Sequence, residues 1–115
     1  HATADPVTDA RAAWQAQVAK AGADSAEALG SEWDLTMALT AAGDLAEAET
    51  HWRNMDAAAE RLFPEDAELR GQLQIRLAMN LVQQGRYPEG AALAEAALPG
   101  LTMASERSSA SGYCR

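Results

Sequence analysis

The sequence predicts an all-α protein of helix hairpins, with about five antiparallel helices. Three observations point there. Apolar residues recur at spacings of three and four along most of the 115-residue chain. Glycines fall where the apolar stripes stop, and a glycine just past a helix end supplies the left-handed cap. β-Branched residues are scarce beside an abundance of alanine, the best helix former.

The first helix starts at Asp5-Pro6, an N-cap followed by proline in the first turn. Val7, Ala10, Trp14, Val18 and Ala21 form its stripe, and residues 22–25 (Gly-Ala-Asp-Ser) close it. A second helix is expected from Trp33, carrying Leu35, Met37 and Leu39 to a stop at Gly43-Asp44. Leu45, Ala48, Trp52, Met55, Ala59 and Leu62 line a third helix that Pro64 ends. Leu69, Leu73, Leu77 and Leu81 line a fourth, stopped by Gly85-Arg86. The fifth opens with Pro88 in its first turn and carries Leu93, Ala94, Ala97 and Leu98. Pro99-Gly100 is expected to break or kink it, because proline lacks the N–H that a helix interior uses. The helix resumes over 101–104, and the serine-rich stretch from Ser105 reads as a loop or frayed end.

Slid against itself by 42 residues, the chain repeats. Leu35 falls on Leu77, Met37 on Met79, Leu39 on Leu81 and Gly43 on Gly85. Leu45 then falls on Tyr87, Glu47 on Glu89 and Ala48 on Gly90. The implied organisation is one domain: a leading helix over 5–29, one repeat over 30–66, a second over 67–104, and a tail at 105–115 that is frayed or begins the next repeat. Residues 113–115 (Tyr-Cys-Arg) suit such a beginning. The chain starts with His1 rather than Met, which reads as a processed or excised piece of something longer.

Composition narrows the function. A net charge of -8, with Lys20 the only lysine, disfavours nucleic acid, whose binding relies on clustered Lys and Arg. A single cysteine, Cys114, rules out an internal disulfide and a cysteine-built zinc site. No apolar run approaches the roughly 18 residues of a membrane span. No signal peptide is visible, and the expected setting is cytoplasmic. His51 is the candidate general base, but it falls inside a helix with no serine or cysteine placed opposite. Glu47 and His51 stand four apart on one face, two ligands without the third that a metal site needs. Gly85-Arg86-Tyr87-Pro88 lacks the Lys-Ser/Thr of a phosphate loop. No catalytic residue, metal or cofactor is expected.

Leu77-Ala78, Leu81, Gly85, Tyr87, Glu89-Gly90, Ala94 and Ala97 resemble the tetratricopeptide repeat pattern of large, small, glycine, aromatic and alanine positions. Leu35, Leu39, Gly43, Leu45, Ala48 and Trp52 resemble it again, with Thr36 and Met55 departing from it. The usual period is about 34 residues. The longer one here, with Phe63-Pro64-Glu65-Asp66 in the connection, is similar to the kinesin-light-chain subtype. The resemblance covers roughly 30–104; the leading helix departs from it at Pro6. The Ala- and Arg-rich, Lys-poor usage points to a GC-rich bacterial source.

The resemblance implies a right-handed solenoid of helix hairpins, and a non-catalytic module that binds protein or peptide. An alternative it leaves open is a structural or sensor segment of a larger kinase or transcription regulator, its groove filled intramolecularly. The family's groove is lined by the first helix of each hairpin. That places Trp33, Asp34, Met37, Thr40 and Ala41 on it from one unit and Ile75, Arg76, Met79, Val82 and Gln83 from the next. Some members hold acidic C-termini with Lys and Asn on these helices. Met37 and Met79 stand where such Asn would be, Trp33 and Ile75 where Lys would help, and only Arg76 is positive. The expected partner is therefore apolar or basic rather than acidic.

Overall fold

The computed structural model describes residues 5–113, of which 102–113 are described by backbone alone. Five helices follow one another: α1 (Pro6–Ala21), α2 (Ala26–Ala41), α3 (Leu45–Leu62), α4 (Ala67–Gln83) and α5 (Tyr87–Tyr113). No strand occurs among the described residues. Each helix packs on the next in chain order. The Cα radius of gyration is 15.7 Å. A compact chain of this length would have about 13 Å, so the helices form an elongated stack rather than a ball.

Local chemistry sets the helix starts. Asp5 accepts a hydrogen bond from the Val7 amide at 3.0 Å, and Pro6 occupies the first turn. Ser25, Asp44 and Asp66 cap α2, α3 and α4 in the same way, accepting from the amides of Ala28, Glu47 and Leu69. Each cap satisfies a backbone donor that has no partner within its helix. The Ser25 cap moves the start of α2 ahead of the expected Trp33. The boundary expected between residues 29 and 30 therefore lies inside α2, and the first hairpin begins at Ala26.

The two hairpin turns are closed by one device. Gly43 and Gly85 both have φ +84. Asp44 N donates to Leu39 O at 2.9 Å and Gly43 N to Thr40 O at 3.1 Å; Arg86 N donates to Leu81 O at 2.8 Å and Gly85 N to Val82 O at 2.9 Å. This is the Schellman arrangement, which satisfies the last carbonyls of a helix through a left-handed residue.

The core runs along the stack. Leu35 and Leu39 of α2, Trp52, Met55 and Ala59 of α3, and Leu73, Leu77 and Leu81 of α4 are buried together. Val7, Ala10 and Trp14 of α1 pack against this cluster, although no residue of α1 is fully buried.

The α4–α5 joint is built differently, from small residues. An added Cβ on Gly90 would sit 3.0 Å from Ala78 O, and one on Gly100 would sit 2.6 Å from Ala67 O. The two backbones thus approach closely where side chains are absent. This joint also corrects the expected break at Pro99-Gly100, since α5 runs unbroken to Tyr113. Proline removes one donor, the partner of the Glu95 carbonyl. Glu95 and Pro99 both lie on the exposed side of α5, where water can take that carbonyl. Gly100, on the inner side, is held against α4. The backbone from Ser105 is helical, correcting the expected loop; Cys114 and Arg115 lie outside the described residues.

Candidate functional site

His51 is buried within α3, between carboxylates of two helices. Its Nδ1 lies 2.7 Å from Glu32 Oε2 of α2, and its Nε2 lies 3.3 Å from Glu47 Oε2 one turn earlier on α3. Arg11 of α1 holds Glu47 with two bonds, of 2.6 and 3.0 Å. The Trp14 ring stands edge-on to the imidazole, with centroids 5.1 Å apart. The Glu32 hydrogen bond raises the His51 pKa against the opposing cost of burial, and Glu47 adds to the rise. The Arg11 hydrogen bond chiefly lowers that of Glu47. Both imidazole nitrogens are thus engaged by carboxylates. The cluster is suited to joining α1, α2 and α3. Among the described residues, no group of three or more His, Cys, Asp or Glu is placed to hold a metal ion.

A second ionic cluster joins the hairpins. Glu49 of α3 accepts from Gln84 at 3.1 Å, from Arg53 at 2.9 Å and from Arg86 at 2.8 Å. Asn80, buried in α4, donates its Nδ2 to the Leu45 carbonyl at 2.9 Å. These contacts pin the C-terminal end of α4 across the start of α3.

The face expected to bind is divided between two clefts. Met37, Thr40, Arg76, Met79 and Gln83 come together between α2 and α4, over Trp52 and Asn80, in a cleft of only about 50 Å³. Trp33 meets Trp52 edge-on at 5.0 Å, and the Arg76 guanidinium sits 5.8 Å from the Trp33 ring centroid. The two indoles fill the space between the helices. Asp34 and Ala41 are exposed and line neither cleft.

Ile75, Met79, Val82 and Gln83 line a larger groove of about 450 Å³ on the far side of α4. Its other wall is α5, through Tyr87, Gly90, Ala91 and Ala94, with Ala78 also on its lining. Met79, Val82 and Tyr87 are 52%, 42% and 63% exposed, a contiguous apolar surface. Sequence reasoning missed the α5 wall because its small residues read as ordinary hairpin packing. The signal was nevertheless present in the repeat: Trp52 aligns with Ala94 and Trp33 with Ile75. The second unit thus lacks both indoles, and among the described residues no helix lies over it as α4 lies over the first.

Comparison of the chain with protein families, characterised proteins and solved structures yields no match. No helix among the described residues is long and apolar enough to cross a membrane.

Proposed function

We propose that this protein is a non-catalytic module of tetratricopeptide type that binds other polypeptides, with the α4–α5 groove as its principal site. The observation that carries the reading is the groove itself: a concave, apolar surface between two helices, with three large hydrophobic side chains left open to solvent. Exposed apolar surface of this kind marks interaction sites. Met79 on its rim adds a flexible side chain that adapts to varied partners.

The repeat supports the family assignment in two ways. Gly43 and Gly85 close equivalent turns with equivalent hydrogen bonds. An Arg–Glu pair recurs at the same offset, Arg11 with Glu47 and Arg53 with Glu89. That recurrence extends the period into α1, which then reads as the second helix of an incomplete unit. The one candidate base, His51, is enclosed by carboxylates, which favours a binding role over catalysis.

The net charge of -8 and the apolar walls favour apolar or basic segments over acidic tails. Titration with acidic, basic and amphipathic peptides, followed by amide NMR shifts, tests this. Saturable shifts at Met79, Val82 and Gly90 with amphipathic or basic peptides are expected. Tight binding of an acidic C-terminal peptide between Trp33 and Met79 would overturn the partner class and the site together.

A further inference from the structure

We propose that the α4–α5 groove receives an amphipathic helix of a separate polypeptide, anchored by one aromatic side chain that enters the space over Gly90 and Ala94. This rests on the polypeptide-binding reading above and adds the shape and chemistry of the occupant.

The two units of the chain provide the comparison. In the first, the groove floor holds Trp52, with Trp33 against it, α4 lies over both, and about 50 Å³ remains open. In the second, Ala94 and Ile75 stand at those positions, and the opening is about 450 Å³. Among the described residues, the second unit lacks both a covering helix and an aromatic ring at the Trp52 position. An incoming ring would be covered by Ile75, Met79 and Val82, and methionine sulfur adds favourable contact with aromatic edges. A ring seated in a desolvated pocket is the usual centre of binding energy at an interface.

The walls determine the backbone form of the occupant. Gln83 and the Tyr87 hydroxyl are the polar side-chain groups on the lining. An extended peptide laid there would bury N–H and C=O groups without partners, which is unfavourable. A helix satisfies its own backbone. The lining residues recur every three or four positions on both α4 and α5, so the trough is straight and matches the ridges of a third helix.

The same kind of contact already exists inside the chain, where α4 lies across α3 at the equivalent face. There Glu49 draws Gln84 and Arg86. Its counterpart in the groove is Ala91, so the centre of the new contact is apolar. Glu95 lies exposed one turn beyond Ala91 on α5. It calls for a basic residue flanking the anchor.

The test is a phage-displayed library of amphipathic helices, selected on the immobilised protein and compared on its Ala94→Trp variant. That variant places an indole where Trp52 has one, and its melting temperature should equal or exceed that of the parent. Selected helices should carry Trp, Phe or Tyr at one fixed position with Lys or Arg flanking it. They should bind the parent about tenfold or more tighter than the variant, and shift the amides of Gly90, Ala91 and Ala94. Replacing the selected aromatic by Ala should lose the same factor. If A94W fails to fold, Met79→Glu on the exposed rim serves instead. Helices that bind parent and variant equally, without aromatic enrichment, would overturn the anchor while leaving polypeptide binding intact. Failure to select any helix for this groove would overturn both. Saturable binding of indole alone with no helix selected would make it a small-molecule pocket. Concentration-dependent self-association lost in A94W would make the occupant a second copy of this chain.

Discussion

Arg11 of α1 grips Glu47 of α3 through two parallel hydrogen bonds, although the residues lie 36 positions apart. With the contact between Trp14 and His51, this pair ties α1 to a helix that is not its neighbour in sequence. Both side chains are about one third exposed. Ion pairs in such settings contribute about 0.2–1 kcal/mol. Arg11→Ala should therefore lower global stability by about that amount, with amide exchange accelerating in α1 more than in α4. Unchanged exchange in α1 would show that its apolar contacts alone hold it.

His51 makes stability depend on pH. Its folded pKa is raised above the ordinary histidine value of 6.5, first by Glu32 and then by Glu47. The bridge is therefore fully formed below about pH 6.5, and its contribution is lost as pH rises through the folded pKa. Thermal melts should show stability falling on the alkaline side of that point, and His51→Gln should flatten the slope. Glu47 acts in the opposite direction. Its pKa is lowered, chiefly by Arg11, so its contribution is present above the ordinary glutamate value of 4.5 and is lost as pH falls through the folded pKa. A pH profile of the H51Q variant identical to that of the parent would rule out the bridge as the source.

Gly85 takes φ +84 in the α4–α5 turn. A branched side chain there strains the backbone whatever space surrounds it. Gly85→Val should cost roughly 1–3 kcal/mol in a denaturant melt.

Two helical glycines should respond with opposite signs. A Cβ on Gly90 would sit 2.9 Å from Val82 Cγ2 and 3.0 Å from Ala78 O, whereas one on Gly30 would meet nothing within 4 Å. Gly90→Ala should destabilise by about 1–3 kcal/mol by forcing α4 and α5 apart. Gly30→Ala, exposed within α2, should stabilise by up to about 1 kcal/mol through helix propensity. Equal effects would mean that α4 and α5 can separate without loss.

Much of the fold was legible because it depends on local signals. Asp5-Pro6, Gly43 and Gly85 act within one turn of themselves, and the stripe through Trp52 and Met55 follows from periodicity. The features that were missed depend on partners distant in sequence. Ser25 is the exception: its bond to the Ala28 amide is local, and it reads as the end of the turn after α1. Pro99 reads as a breaker until Gly100 is seen against Ala67. His51 reads as a lone helical histidine, because Glu32 lies 19 positions away on another helix. The open groove was hidden for a similar reason: Ala94 is unremarkable until it is set beside Trp52, the residue it replaces.

The small-residue joint between α4 and α5 has a kinetic consequence. Glycine and alanine have no side-chain rotamers to freeze, so bringing these helices together costs little beyond backbone ordering. Their connection spans residues 84–86, as short as residues 42–44 between α2 and α3, so side-chain ordering and not loop closure sets the two hairpins apart. The remaining helices must order Trp14, Trp33, Trp52 and several long ionic side chains before they gain from contact. The α4–α5 pair should therefore assemble first and serve as the template on which α3, α2 and α1 dock in turn, away from the C-terminal end. An emerging chain would meet this order in reverse, with its fastest-closing hairpin the last of the described pairs to leave the ribosome.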